Sequence, residues 1–117
     1  MKHHKTGRKL GRVRKVRVAL LRSLARSLIL KGKITTTIAK AKELRPYAER
    51  LVTIARKDTI ASRRLIASRL GNDTESATKL TQKIAPKYKD RPGGYTRITK
   101  LGVFADAKRD KAVIEFV

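Results

Sequence analysis

The side chains best placed to do chemistry lie in the first 42 residues, and that chemistry is the neutralisation of phosphate. This stretch contains 14 lysines and arginines, and no aspartate or glutamate occurs before Glu43. A run of like charge this long repels itself, so a polyanion that neutralises it is its natural counterpart. The pattern therefore predicts a nucleic acid as the leading partner.

The charge of the whole chain supports the same partner class. It has 31 basic and 9 acidic residues and a net charge of +22, which is more than solubility requires. An anionic membrane surface is the competing partner, but membrane-lying helices usually carry Trp or Phe on their apolar face. The chain has no Trp and only two Phe, neither in the first hundred residues. The composition thus favours nucleic acid over a membrane.

The sequence offers little material for other kinds of chemistry. It has no cysteine, which excludes disulfides and thiolate metal sites, and its carboxylates are spread among basic neighbours. His3 and His4 are adjacent and do not converge on one ion. No catalytic triad signature and no glycine-rich phosphate loop stands out. We therefore expect no enzyme activity, cofactor, metal or small-molecule substrate. No signal peptide or membrane span is evident, which indicates a cytoplasmic protein.

Residues 1–12 have almost nothing to bury. Beyond the first Met, Leu10 is their only sizeable apolar side chain, and Gly7 and Gly11 add backbone freedom. Such a segment cannot offset its ordering entropy alone, so it is predicted to be a flexible basic extension that orders on its partner. Its candidate nucleic-acid-binding residues are Lys2, His3, His4, Lys5, Arg8, Lys9 and Arg12.

An amphipathic helix is predicted over Val13 to Leu30, because apolar residues recur at every fourth position. Arg14, Arg22 and Arg26 fall on another face, which is either a phosphate-facing ridge or an ordinary solvated surface. Further candidate nucleic-acid-binding cations, in this helix and the next, are Lys15, Arg17, Lys40 and Arg45.

A second candidate site is a basic, glycine-containing loop near residue 94. Gly93 and Gly94 allow close approach of the backbone, Tyr95 can stack, and the guanidiniums of Arg91 and Arg97 can bind phosphates. The alternative is a turn that leads into a strand, with Tyr95 packed on the core. The two interpretations are compatible.

The elements that would position these residues follow from periodicity and end signals. We predict an α+β fold of about four helices packed on a small three-stranded sheet, with one domain over residues 1–117, divided into the extension (1–12) and a globular body (13–117). The predicted elements after the first helix are a strand at Ile34 to Thr37, a helix to about Lys57 with a kink or break at Pro46, helices over Thr59 to Leu70 and Thr74 to Ala85, and strands over Tyr95 to Leu101 and Ala112 to Val117.

Five blocks of sequence also resemble a known family. They are Lys9-Leu10-Gly11-Arg12, Ala19-Leu20-Leu21-Arg22, Ala39-Lys40-Ala41-Lys42-Glu43-Leu44-Arg45-Pro46, Gly93-Gly94-Tyr95-Thr96-Arg97-Ile98 and Ile114-Glu115-Phe116-Val117. In this order and over this length, they are similar to the bacterial large-subunit ribosomal protein seventeen family. The resemblance implies an α+β protein with a basic N-terminal extension that binds 23S ribosomal RNA near the polypeptide exit, beside neighbouring large-subunit proteins in the ribosome.

The alternative function is a nucleoid-type DNA-binding protein, in which the helix from Thr59 to Leu70 would be the recognition helix. Charge alone does not separate the two functions, because it responds to phosphate rather than to the sugar. The strands predicted after that helix favour the ribosomal function, since a helix-turn-helix domain does not need them.

Overall fold

The structure, a computed structural model, describes residues 13–102 and 110–117. These residues form four helices and a three-stranded antiparallel sheet, which confirms the predicted α+β class. The predicted flexible extension over residues 1–12 and most of the loop before the last strand lie outside the described residues. The elements are α1 (Arg14–Lys31), β1 (Lys33–Thr37), α2 (Ile38–Ala55), α3 (Ile60–Arg69), α4 (Thr74–Lys79), β2 (Thr96–Lys100) and β3 (Lys111–Phe116).

The last strand occupies the centre of the sheet, whose order is β1-β3-β2. Ile114 of β3 is the register partner of both Ile34 in β1 and Ile98 in β2. Ala112 and Ile114 are fully buried, whereas their neighbours in β3 are partly exposed. This alternation, typical of a sheet with one covered face, points Ile114 and its two partners towards the helices.

Helix α2 lies at the centre of the core and contacts all three strands as well as α1 and α3. Its buried stripe consists of Ala41, Leu44, Ala48, Leu51, Val52 and Ala55. The helix is continuous across Pro46, so a break, one of the two outcomes predicted there, does not occur.

Local end signals place the helix boundaries close to the predicted positions. Gly32 ends α1 at φ +84° and donates its N–H to the carbonyl of Leu28 at 2.7 Å. Thr37 begins α2 by accepting a hydrogen bond from the N–H of Lys40 at 3.2 Å. Thr59 begins α3 with a reciprocal capping box to Ser62. Each device satisfies backbone groups that the helix itself leaves unpaired.

The fourth helix differs from its prediction. A single α-helix was expected over Thr74 to Ala85, but α-helical geometry ends at Lys79 and is followed by a π-helical turn (Leu80–Ile84) and a 3₁₀ turn (Ala85–Tyr88). Pro86 lies at the start of the 3₁₀ turn. Because proline lacks an N–H and its ring clashes with the carbonyl four residues earlier, regular α-helix cannot continue through this segment.

Tyr88, at the end of that 3₁₀ turn, makes the stability of the fold sensitive to pH in the alkaline range. Its hydroxyl donates a hydrogen bond to the backbone oxygen of Val117. Burial raises the pKa of the Tyr88 hydroxyl above its ordinary value of 10.0, and the nearby charge of Arg91 offsets part of that rise. The folded protein therefore retains the phenolic proton more strongly than the unfolded chain does.

We expect the resulting stabilisation to be complete below about pH 10 and to disappear as the pH rises through the folded-state pKa of Tyr88. Chemical unfolding of wild type and Tyr88→Phe on either side of about pH 10 measures this effect. The free energy of unfolding should fall more steeply with pH in wild type than in the variant. Equal slopes would show that Tyr88 ionisation is not coupled to folding.

Candidate nucleic-acid interface

The first turn of α1 presents two exposed candidate cations. Arg14 and Lys15 are exposed, and Val13 and Val16 beside them are 71% and 49% exposed. This turn has no acidic residue, and its N-cap makes no side-chain hydrogen bond. Two cations thus add to the positive end of the helix dipole, which favours an anionic partner there. The candidates from Lys2 to Arg12 lie outside the described residues.

Arg22 and Arg26, which with Arg14 were the predicted phosphate-facing ridge, are instead half-buried against the end of α3. Arg26 donates from Nη1 to the carbonyl of Leu70 at 3.1 Å. A Cβ atom placed on Gly71 would lie 3.0 Å from Arg26 Nη1 and 3.8 Å from Arg22 Cδ. Arg26 therefore links α1 to the C-terminal end of α3, where a cation also complements the helix dipole, and phosphate binding by Arg22 and Arg26 stays a prediction.

The loop before β2 has an open backbone at its two glycines. Among the described residues, no atom lies within 4 Å of a Cβ placed at either Gly93 or Gly94. Gly94 has a φ of +65°, a conformation that residues with side chains rarely adopt, so a substitution at this position would be strained. The predicted close approach of a partner to this backbone is sterically feasible.

Tyr95 is fully buried, as expected in the interpretation in which it packs on the core, and its ring does not lie open at the surface for stacking. Its ring centroid lies 5.2 Å from that of Tyr88, at a tilt of 57°. Its hydroxyl accepts a hydrogen bond from Arg56 Nη1 at 2.9 Å and is hydrogen-bonded to the hydroxyl of Thr53 at 3.2 Å. Arg56 also donates to the carbonyl of Lys89 at 2.8 Å. Tyr95 thus anchors the glycine loop to α2 rather than offering a face to a partner.

Arg45, a candidate on α2, takes part in a second anchor of the same loop. Its Nη2 donates to the carbonyl of Thr96 at 3.4 Å, and its Nε lies 3.7 Å from Glu49 Oε2. The same carboxylate oxygen accepts from the backbone N–H and the hydroxyl of Thr96, at 3.2 and 2.9 Å. These bonds fix the start of β2 against α2.

Arg97 extends from the sheet face opposite the helices. Its side chain is 61% exposed, and its Nε and Nη2 donate to Glu115 Oε1 at 3.2 and 2.8 Å. Lys33, on the other side of Glu115 in the register, is exposed. Because such an exposed ion pair is weak, Arg97 remains available for exchange onto a phosphate.

The remaining described candidates differ in exposure. Arg91 is exposed, and Arg17 and Lys40 are half-buried. Arg50 and Arg69, which are not among the candidates predicted from the sequence, are exposed and line one groove with Gly93. The exposure of Arg50 could have been predicted from the sequence, because Arg50 lies outside the apolar stripe of α2. The proximity of Arg69 to it results from tertiary packing of α3 and has no local signal.

Other site types have no support in the described part of the chain. Within residues 13–102 and 110–117, no three His, Cys, Asp or Glu side chains group closely enough to hold a metal ion. No helix in these ranges is long and apolar enough to cross a membrane.

Comparison with known proteins decides the family. The profile of the family described as "Ribosomal protein L17" matches residues 20–117. The chain belongs to the ribosomal protein L17 family. The resemblance seen in the five sequence blocks is thereby confirmed.

Three curated members of the L17 family match the whole chain, and each is named "Large ribosomal subunit protein bL17". The protein of Sphingopyxis alaskensis is 51% identical over 117 residues, which are 100% of this chain and 84% of that protein. The Zymomonas mobilis protein is 50% identical, with 100% and 83% covered. The Thermomicrobium roseum protein is 50% identical, with 100% and 99% covered.

Proposed function

We propose that this L17-family chain is a structural constituent of the large ribosomal subunit and forms a single domain that binds 23S ribosomal RNA. The observation that carries the proposal is the cationic stretch before Glu43, whose described part begins with the exposed Arg14 and Lys15. The relatives are named as proteins of the large ribosomal subunit, and this supports placing the chain in that assembly. In this function the protein acts by binding RNA in the ribosome, near other large-subunit proteins and the polypeptide exit, and not by catalysis.

The proposed contacts divide between two surfaces. The extension over residues 1–12 and the first turn of α1 neutralise phosphates, a role supported by their charge and by the positive end of the helix. The loop at Gly93 and Gly94 lets RNA approach the backbone, while exposed Arg91 and Arg97 bind phosphate oxygens. In this arrangement Tyr95 holds the loop in position from within the core.

Ultraviolet crosslinking in bacterial cells that express the tagged chain, followed by sequencing of the attached nucleic acid, tests the proposal. We expect fragments of 23S ribosomal RNA that cluster at a few sites, because a structural ribosomal protein occupies one position in the subunit. An Arg64→Gln variant provides the control, since Arg64 is exposed on α3, the helix that a DNA-binding function would use.

The 23S crosslinks should persist in the Arg64→Gln variant. Crosslinks to genomic DNA that this variant abolishes would instead support the nucleoid-type function and overturn the ribosomal one.

A further inference from the structure

A groove runs between α2, the end of α3 and the glycine loop. It has a volume of about 470 Å³, which is in the range of small-ligand sites, about 300–1,000 Å³. Within the part of the chain that the structure describes, no residue before Glu43 lines it. Its lining residues are Pro46, Glu49, Arg50, Thr53, Ile54, Arg69, Pro92, Gly93 and Tyr95.

The groove combines an apolar surface with two available guanidinium groups. Pro46, Ile54 and Pro92 provide the apolar surface. Arg50 and Arg69 are exposed, and within residues 13–102 and 110–117 neither guanidinium has a hydrogen-bond or ion-pair partner. An apolar surface flanked by unpaired arginines suits a flat, hydrophobic group that carries phosphate.

Glu49 restricts which kinds of ligand the groove can hold. Its Oε2 accepts both hydrogen bonds from Thr96, and within the described residues its Oε1 accepts none. A carboxylate is acceptor-only when ionised, so Oε1 favours an amino or imino donor and disfavours a bare phosphate beside it. A nucleobase with such donors on its edge satisfies this group.

We infer that this groove holds one unpaired nucleotide of RNA. The base lies on Pro46, Ile54 and Pro92 with its donor edge towards Glu49, and the adjoining phosphates meet Arg50 and Arg69. This inference rests on the proposed RNA-binding function and adds a contact that the cationic stretch cannot make. Phosphate contacts alone do not distinguish paired from unpaired RNA, whereas a base-sized groove does.

The test compares two RNA hairpins of equal length and charge, one with a single bulged guanosine and one fully paired, in binding titrations with the whole chain. Guanine supplies neighbouring amino and imino donors for Glu49. Stacking and edge contacts of one base predict about tenfold tighter binding of the bulged hairpin. A thioguanosine at the bulge should crosslink to residues of the groove.

Two variants should remove the preference for the bulged hairpin by different means. Gly93→Leu adds an alkyl side chain to the lining of the groove, and among the described residues no atom lies within 4 Å of a Cβ at this position to oppose it. Arg69→Gln removes one phosphate partner. Arg64→Gln on the same helix is the matched control, because it removes an equal charge from outside the groove. We expect the affinity ratio to fall towards one in the first two variants and to persist in the control.

The inference would be overturned if the ratio of the affinities for the bulged and the paired hairpin stayed at its wild-type value in both Gly93→Leu and Arg69→Gln. Equal affinity of wild type for both hairpins would also overturn it while leaving the proposed function intact. Salt-insensitive or absent binding of either hairpin would contradict the proposed function itself. If an acidic peptide binds wild type and loses affinity in Gly93→Leu, while the hairpin ratio does not change, the groove belongs to a protein partner.

Discussion

Tyr95→Ala is expected to reduce the free energy of unfolding by about 3–5 kcal/mol, the usual cost of truncating a buried large aromatic side chain. The ring is fully buried and packs on Tyr88, and its hydroxyl is bound to Arg56 and Thr53. Truncation would leave a cavity and remove a partner from the Arg56 guanidinium. Thermal and denaturant unfolding measure the destabilisation.

Tyr95→Phe is the matched control, because it keeps the ring and removes only the hydroxyl bonds. It should cost less than Tyr95→Ala, about 1–3 kcal/mol for a part-buried network that includes a charged donor. RNA affinity measured well below the melting temperature should be close to wild type in Tyr95→Phe. A Tyr95→Ala protein with a wild-type melting temperature and greatly weakened RNA binding would restore the stacking role and contradict the anchor role.

Local signals were sufficient to predict where most elements begin and end. Gly32, Thr37 and Thr59 act within one helical turn of their own position, so their effects can be read from adjacent residues. The strands were predicted from β-branched runs, and the structure confirms them to within one residue at most ends. The order β1-β3-β2 was not predictable in this way, because it depends on long-range pairing.

The side-chain roles at the site were harder to predict because they depend on contacts between distant segments. In a regular strand from Tyr95 to Leu101, alternation would put Tyr95 on the same face as Arg97. In the structure β2 begins only at Thr96, and the positive φ of Gly94 redirects the chain just before Tyr95. Arg26 had the sequence signature of a solvated cation, but it pairs with a carbonyl 44 residues away. The spacing of residues along a helix predicts which of its faces is polar. Only tertiary packing decides whether that polar face meets solvent or protein.

Two double variants on α1 are expected to separate structural arginines from RNA-binding cations. Arg22→Gln/Arg26→Gln should reduce the free energy of unfolding by about 1–3 kcal/mol, because it removes a charged donor from the carbonyl of Leu70 and buried packing at Gly71. The log–log salt dependence of RNA binding should change little in this variant. Thermal unfolding and binding titrations at several salt concentrations provide both readouts.

Arg14→Gln/Lys15→Gln removes the same number of charges from the same helix, but from its exposed first turn. Its melting temperature should match or exceed that of wild type, since two cations at a helix N-terminus oppose the dipole. Its salt slope should become shallower by about 0.7–0.9 for each phosphate that the variant no longer neutralises. If the two double variants exchanged these outcomes, Arg22 and Arg26 would reach RNA and the first turn of α1 would lie in solvent. The hydrogen bond from Arg26 to the carbonyl of Leu70 predicts the opposite, because it holds that side chain half-buried against the end of α3 and away from the exposed first turn of α1.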